Sequence, residues 1–399
     1  MSTTTALNNL FIDIVKQQAD QLLKGKAVLS PRIANKMDTV PGVKGKKIKV
    51  PIPEMPSSLG TFSRGSDVSK QDRAETAFKD VELTVHVCDD YPVYRDEWQW
   101  MYLNPEAFFT LKIAPRWEAL IRDVERAGFK LHVDMENVYG TCGDPPDAKA
   151  DLAAMQLKAD EQYMPEDQRF YFCEPTAYGD LLQISEVITA LQYGSPDVIR
   201  QGRLPEVFGF YPQKSLYLKN ANGGWHTCGG WYDATTPVVK DDSNALAIGD
   251  TAITIDGLAV STAAEVKDGD RFTLAGDTTI YTVTATVTST SGGAAALTII
   301  PGLVADPGDG AAVTVLQTSA TGKYIANLFA HPAGLYYAST PVAVDPAPSQ
   351  AVANISIPGV GTITYDIWED KRANAMIHRT QVLYGWAVGQ QDLSFVVLG

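Results

Sequence analysis

Apolar residues recur along this chain at two different spacings, and the change from one to the other outlines its elements. Over residues 5 to 24, Leu7, Leu10, Phe11, Ile14, Val15, Ala19, Leu22 and Leu23 follow helical spacing, with threonines before them and Gly25 after them as caps. This predicts an amphipathic arm, docked either on its own subunit or on a neighbour. Ile48 to Ile52 predicts a strand, and Val81, Leu83, Val85 and Val87 alternate with polar residues as a second. Residues 54 to 79 between them are rich in Ser, Gly, Asp and Lys. They exceed the length expected of a structureless loop within a domain, so they are expected to have a partner. From Pro115 onward, Trp117, Leu120, Ile121, Val124, Ala127, Leu131, Met135 and Val138 form the stripe of one long helix. Gly128 within it costs about 1 kcal/mol relative to alanine.

The chain continues with a helix over about 149 to 162, a strand over Arg169 to Cys173, and a helix over Thr176 to Leu182 entered through Pro175, which suits a first helical turn. Gly202 and Gly209 then allow the chain to reverse into a strand over Lys214 to Leu218. Near residue 236 the composition shifts to Thr, Ala, Val, Gly and Asp. Alternating segments follow at Ala252 to Ile255, Arg271 to Leu274, Ile280 to Val287, Ala296 to Ile300 and Ala312 to Leu316. Asp256-Gly257, Asp268-Gly269 and Asp309-Gly310 punctuate them as turns, which predicts a small all-β unit of barrel or sandwich type. The fold class read from these periods is α+β, with an inserted all-β domain.

With 399 residues, the chain is expected to divide into two or three domains, each able to bury a core without disulfides. An apolar share of 45% and a charged share of 20% are ordinary for a globular protein, and no run reaches the roughly 18 to 20 apolar residues of a membrane helix. Met1 to Asn9 is polar and Lys16 falls in the helical pattern, unlike a secretory signal, so the expected compartment is the cytoplasm. Cys88, Cys142, Cys173 and Cys228 are scattered without zinc or redox spacing and read as reduced thiols.

The net charge of -14 is unevenly distributed. Residues 16 to 50 carry Lys16, Lys24, Lys26, Arg32, Lys36, Lys44, Lys46, Lys47 and Lys49 against Asp20 and Asp38, a local net of +7. Residues 236 to 321 carry ten acids against Lys240, Lys267 and Arg271, a local net of -7. The basic run has two readings: a solvated face, since no aromatics alternate with the lysines, or a lining that meets nucleic acid through its phosphates without reading sequence.

Catalytic patterns are lacking. The sequence contains no G-x-x-x-x-G-K-[ST], no H-E-x-x-H and no G-x-S-x-G, and His86, His132, His226, His331 and His378 stand apart from one another. His226 and Cys228 supply two ligands at most, short of the four of a structural zinc site. The flanking Trp225 and Trp231 read better as a subunit contact, where aromatics are enriched. The Asp-rich turns lack calcium-loop spacing and read as hairpin turns. No cofactor, metal or enzyme activity is expected.

Asp160, Glu161, Gln162, Pro165, Pro175, Tyr178, Gly202, Gly209, Phe210 and Tyr211 form a series that resembles a module of tailed-bacteriophage major capsid proteins of the Hong Kong ninety-seven type. The ending Arg379, Val382, Leu383, Tyr384, Gly385 and Trp386 is similar to the family's closing R-x-D-V-L-Y-G-W motif, with Gln381 where an acid is expected; that exchange puts the local salt bridge in question. VKDGDRFTLAG, residues 266 to 276, resembles the inserted domain of podovirus-type coat proteins. The resemblance covers most of residues 45 to 235 and 322 to 399.

That resemblance implies an N-terminal arm (1–47), an extended hairpin (48–90) and a peripheral domain with a spine helix (91–148). An axial domain (149–235), an inserted barrel-like domain (236–321) and a return through the axial and peripheral domains (322–399) complete the division. It implies self-assembly into pentamers and hexamers of an icosahedral head around double-stranded DNA. The partners would be a separate scaffolding protein, a portal protein and, in some members, a decoration protein, with no membrane; the subunit would reside in the virion capsid after assembly in the host cytoplasm. Lys24, Lys26, Arg32, Lys36, Lys44, Lys46, Lys47 and Lys49 would face DNA. Phe62, Arg64, Lys70, Arg73, Trp225 and Trp231 would contact other subunits. Lys70 and Lys79 could donate to a Lys–Asn crosslink, but no acceptor is identifiable and crosslinking is not expected. An encapsulin-like compartment shell of the same fold and a β-module adhesin are the alternative readings.

Overall fold

The computed structural model describes residues 11–15, 27–37, 42–52, 77–142, 144–184, 204, 206–218, 226–227, 237–241, 246–258, 265–290, 293–316, 323–343, 351–357 and 360–399. It divides into two compact units. The first comprises Met1–Leu23, Ala34–Trp117 and Tyr336–Gln390; the second comprises Lys24–Ile33, Glu118–Leu335 and Gln391–Gly399. The architecture is α+β, as the two periodicities require.

In the first unit a six-stranded sheet runs in the order Ala34–Met37, Leu335–Thr340, Ala375–Val388, Gly361–Asp370, Ala351–Ile357, and Val85–Tyr94 also pairs with Ala375–Val388. The alternation at Val81 to Val87 continues through two strands rather than one. Ala77–Glu82 pairs with Lys47–Ile52 as a separate hairpin stem, and Val85–Tyr94 joins the main sheet. The partner changes at Leu83, which is buried with Val50, Val81 and Leu383. Gly385, from the closing motif, lets the long strand approach this corner: a Cβ there would lie 2.1 Å from the Glu82 carbonyl oxygen. Trp117 anchors the helical layer, its ring edge-on to Phe109 at 5.6 Å and its Nε1–H donating to Thr380 Oγ1 at 3.0 Å. Residues 11–15 are helical, with Phe11, Ile12 and Val15 buried, and Phe11 packs on Phe108 and His378 of its own chain, each at 5.8 Å between ring centres.

The helical stripe begun at Pro115 is shorter than its spacing predicts. The α-helix spans Ala114–Phe129 and tightens to a 3-10 turn over Lys130–Asp134. Val138 lies in a strand, Val138–Tyr139, paired in parallel with Val396 and Val397. Tertiary pairing with the last strand overrides the helical period here, because a buried backbone needs ladder partners.

The second unit contains a five-stranded sheet ordered Val138–Tyr139, Ser394–Leu398, Ala326–Ala330, Phe170–Cys173, Tyr211–Lys214. Phe329 and Phe395 stack at 4.5 Å in its core. The strand expected at Lys214 to Leu218 lies instead at Tyr211–Lys214, in register with Phe170–Cys173. Helices Lys149–Glu161 and Pro175–Leu181 contribute Leu152, Met155, Ala177, Tyr178 and Leu181 to the same core.

A second sheet within this unit is ordered Val313–Val315, Arg271–Leu274, Tyr281–Val283, Ala295–Ile300, Ala252–Asp256, Val238–Val239. Its last strand returns to its first. Val238 bridges Ala312, and the Val239 amide donates to the Ala311 carbonyl at 2.8 Å. The ring is therefore a small closed barrel without a free edge. Its interior holds Ile253, Ile255, Phe272, Tyr281, Leu297 and Ile299, drawn from the alternating positions of the sequence.

Candidate assembly surfaces

The basic N-terminal run is divided among several settings. Glu125, fully buried in the Ala114–Phe129 helix, accepts the amides of Val28 (3.1 Å), Leu29 (2.8 Å) and Ser30 (2.9 Å) and the Ser30 hydroxyl (2.8 Å). Three consecutive backbone N–H groups turned on one carboxylate make a concave anion seat that fastens this segment to the helix. Arg32 is held beside it: its Nη1 donates to the Val28 carbonyl at 2.9 Å and its guanidinium lies 5.9 Å from the Phe170 ring centre. Burial lowers its pKa and the Glu125 carboxylate opposes that shift. Lys36 lies in the strand paired in parallel with Tyr336–Ser339. Lys44, Lys47 and Lys49 are exposed and Lys46 is half-buried. Lys47 and Lys49 stand opposite Glu82 and Asp80 in the hairpin stem, so acids on the neighbouring strand offset part of their charge. The Lys47–Glu82 pair, at 4.0 Å and well exposed, is worth under about 1 kcal/mol. Lys24 and Lys26 lie outside the described residues.

The hairpin stem carries six paired positions, from Lys47↔Glu82 to Ile52↔Ala77. Phe62, Arg64, Lys70 and Arg73, expected as its contacts, lie outside the described residues, as do Trp225 and Trp231. The backbone of His226 and Thr227 pairs with Tyr324 and Lys323. Cys228 is outside the described residues.

On the outer part of the first unit's sheet, Arg379 makes a bidentate pair with Asp90 at 2.6 and 2.7 Å and stacks 4.3 Å from the Trp368 ring centre. The hydrogen bond from Arg379 lowers the Asp90 pKa. The motif arginine thus finds its acid on the neighbouring strand. Gln381, standing where that acid was expected, instead meets His86 at 3.0 Å. A second pair, Arg116–Asp89 at 2.6 Å, stacks on Tyr91. The first pair depends on the register between Val85–Tyr94 and the long strand, and the second on where the Ala114–Phe129 helix meets Val85–Tyr94, neither of which spacing in one sequence reveals.

In the second unit the Asp160-Glu161-Gln162 series opens a loop organised by Arg169. This buried guanidinium pairs with Asp160 at 2.8 Å, donates through Nε to the Pro165 carbonyl at 2.8 Å, and also donates to the Met164 carbonyl. The loop presents Tyr163 outward, 89% exposed and at φ +55°, a conformation residues other than glycine seldom adopt. Tyr178 accepts the Leu204 amide at 2.7 Å, and Gly209 at φ +75° turns the chain so that Phe210 is buried against Phe329. Gly202 lies outside the described residues.

The barrel is tied to its unit by Arg271, whose Nη1 donates to Thr282 and Nη2 to the His132 carbonyl, with its guanidinium 5.8 Å from the Tyr324 ring centre. Tyr324, pushed by burial to about 12, keeps its proton and donates to the Gly269 carbonyl at 2.7 Å. The acidic turns act as backbone acceptors: Asp256 takes the Gly257 amide, Asp270 the Lys267 amide and Asp309 the Asp241 amide. Among the described residues no group of three or more His, Cys, Asp or Glu is arranged to hold a metal ion, and no helix is long and apolar enough to cross a membrane.

No family model matches the chain, and no curated protein is similar to it in sequence. Among solved structures, it is similar to the capsid of the cyanophage P-SCSP1u, with 10% identity, 93% of this chain and 87% of that one covered, and a TM-score of 0.48. The mature capsid of bacteriophage PhiM1 is similar at 11% identity, covering 92% and 86%, with a TM-score of 0.45. A virus-like particle from Pyrococcus furiosus is similar at 10% identity, covering 98% and 97%, with a TM-score of 0.37.

Proposed function

We propose that this chain is a major capsid protein of the tailed-phage type, a structural subunit whose copies close into an icosahedral shell around double-stranded DNA. One observation carries the reading: several of the residues that resemble the capsid motifs perform a specific structural task. Gly385 admits the hairpin corner, Arg379 locks the long strand to its neighbour, and Pro175, Tyr178, Gly209 and Phe210 build one continuous core with the strand Phe170–Cys173. Motifs matched by chance have no reason to fall together at such junctions.

In this reading residues 1–47 are the arm, 48–90 the extended hairpin, 91–148 the peripheral part, 149–235 and part of 322–399 the axial part, and 236–321 the inserted barrel. Each contact between copies can be weak because every subunit makes several, and multivalency multiplies them. A scaffolding protein would guide closure, and a portal and a decoration protein would be further partners. The lysines of the arm would meet packaged DNA, while the acidic barrel, with a local net of -7 over 236–321, would face outward. The virion is then the site of action and no catalytic step is required.

Electron microscopy of the purified chain, alone and with a candidate scaffolding protein, tests the proposal. Closed icosahedral particles are expected; a monodisperse monomer under both conditions would overturn it.

A further inference from the structure

A strand at the edge of a sheet presents a row of unpaired N–H and C=O groups, and folded chains guard such edges with proline, charge, brevity or closure. Among the described residues the open edges are guarded in these ways, the two-residue ladders Glu265–Val266 with Val287–Thr288 and His226–Thr227 with Lys323–Tyr324 by their brevity, with one exception. Val85–Tyr94 contains Asp89, Asp90 and Pro92; Lys47–Ile52 contains two lysines and Pro51; Ala77–Glu82 contains Lys79, Asp80 and Glu82. Ala34–Met37 contains Lys36, Tyr211–Lys214 contains Pro212, Val138–Tyr139 has two residues, and the barrel closes on itself. The exception is Ala351–Ile357, seven residues reading AVANISI, with neither charge nor proline.

This strand is also regular. It pairs without a bulge from Ala351↔Ile367 to Ile357↔Gly361, and its side chains alternate strictly between buried and exposed. It ends its sheet, and among the described residues no strand pairs with its outer side. Val352 is 45% exposed beside Asn354 and Ser356 on the open face.

We propose that Ala351–Ile357 is an interface between copies of this chain, pairing antiparallel with the same strand of a second copy about a two-fold axis through Asn354. The occupant follows from the same survey. A proline-bearing strand would leave a ladder carbonyl without a donor, and the charged edges are built to refuse partners. Among the described edges of more than two residues, the one whose outward-facing donors and acceptors are interrupted by neither proline nor charge is this strand itself. The full overlap is self-complementary: Val352 meets Ser356 on the open face, Ala353 meets Ile355 on the buried face, and no like charges are opposed. The proposal deepens the shell reading, since it names one contact between copies.

The test is the full chain with Val352→Cys and Ser356→Cys together, in a Cys88→Ser, Cys142→Ser, Cys228→Ser background that leaves buried Cys173 as the native thiol. In the proposed register each new cysteine faces its counterpart on the partner, within disulfide reach. Both positions are exposed, and a melting temperature near that of the parent checks folding. Mild oxidation is expected to give a covalent dimer on a non-reducing gel. Either single substitution is expected to give none, because its two sulfurs then lie about four residues apart along the ladder on the order of 13 Å. In the wild-type chain, hydrogen exchange over 351–357 should be slower in associated than in dispersed protein. Particles in the microscope without the covalent dimer overturn the strand pairing and leave the shell reading standing. The dimer without particles does the reverse. Slowed exchange without the dimer shows a different occupant and overturns the proposal.

Discussion

His378 is a base held in an apolar pocket. The Tyr365 hydroxyl is hydrogen-bonded to its Nδ1 at 2.5 Å, and the rings of Phe11 and Phe108 lie 5.8 and 5.9 Å away. Burial pushes its pKa from 6.5 down to about 3, while burial raises that of Tyr365, so the pair stays neutral. Between those two values the unfolded chain binds the proton and the folded chain does not. The stability associated with neutral His378 is therefore full above pH 6.5 and falls with acid, by up to about 1.4 kcal/mol per pH unit, until pH nears 3. Thermal melts of the subunit from pH 7 to 4 should show this slope, and His378→Phe should flatten it; an unchanged slope in the variant would remove His378 as its source. Gly385 raises a different constraint, since its φ is ordinary and only space is at issue. Gly385→Ala would drive a methyl into the Glu82 carbonyl, 2.1 Å from the Cβ position, and is expected to destabilise by about 1–3 kcal/mol in a urea titration.

At the scale of elements, the hairpin stem separates two roles that adjoin in sequence. Its base belongs to a core with Val50, Val81, Leu83 and Leu383, whereas residues 54–75 are polar. Their removal, with a short Gly-Ser bridge joining the intact strands Lys47–Ile52 and Ala77–Glu82, should leave the melting temperature nearly unchanged and abolish closed particles. Normal particles from that deletion would sink the assignment of this segment as an intersubunit hairpin. Glu125 shows the complementary case: the residues it holds, Val28 to Ser30, lie about 95 positions away, and their amides depend on that one carboxylate.

For the whole molecule, charge distribution carries the remaining expectation. The stem places Glu82 and Asp80 across from Lys47 and Lys49, and Arg32 is half-buried with its guanidinium on the Val28 carbonyl, so fewer cations are available to phosphates than the local net of +7 suggests. Binding of the full chain to duplex DNA should be indifferent to sequence and fall with salt, with a slope of about -0.9 per phosphate contacted. Lys24→Gln, Lys26→Gln and Lys44→Gln combined should flatten that slope. Equal slopes in parent and variant would leave these residues as a solvated face.

Periodicity by itself determined the α+β class, the strands at Ile48 to Ile52 and Arg271 to Leu274, the helices near 149 and 175, and the alternating interior of the barrel. Those features depend on side chains within one segment, and a segment's period can be read without its partners. The proline and glycine turns were legible for the same reason, because their backbone preferences are local. Only the tertiary structure decided where the Pro115 helix stops, that Val81 to Val87 divides between two sheets, that Arg379 pairs with Asp90, that the barrel closes through Val238 and Ala312, and that Ala351–Ile357 ends its sheet unguarded. Each of these depends on register between segments far apart in the chain. Register is set by which backbone groups and side chains must be satisfied together once the core is closed.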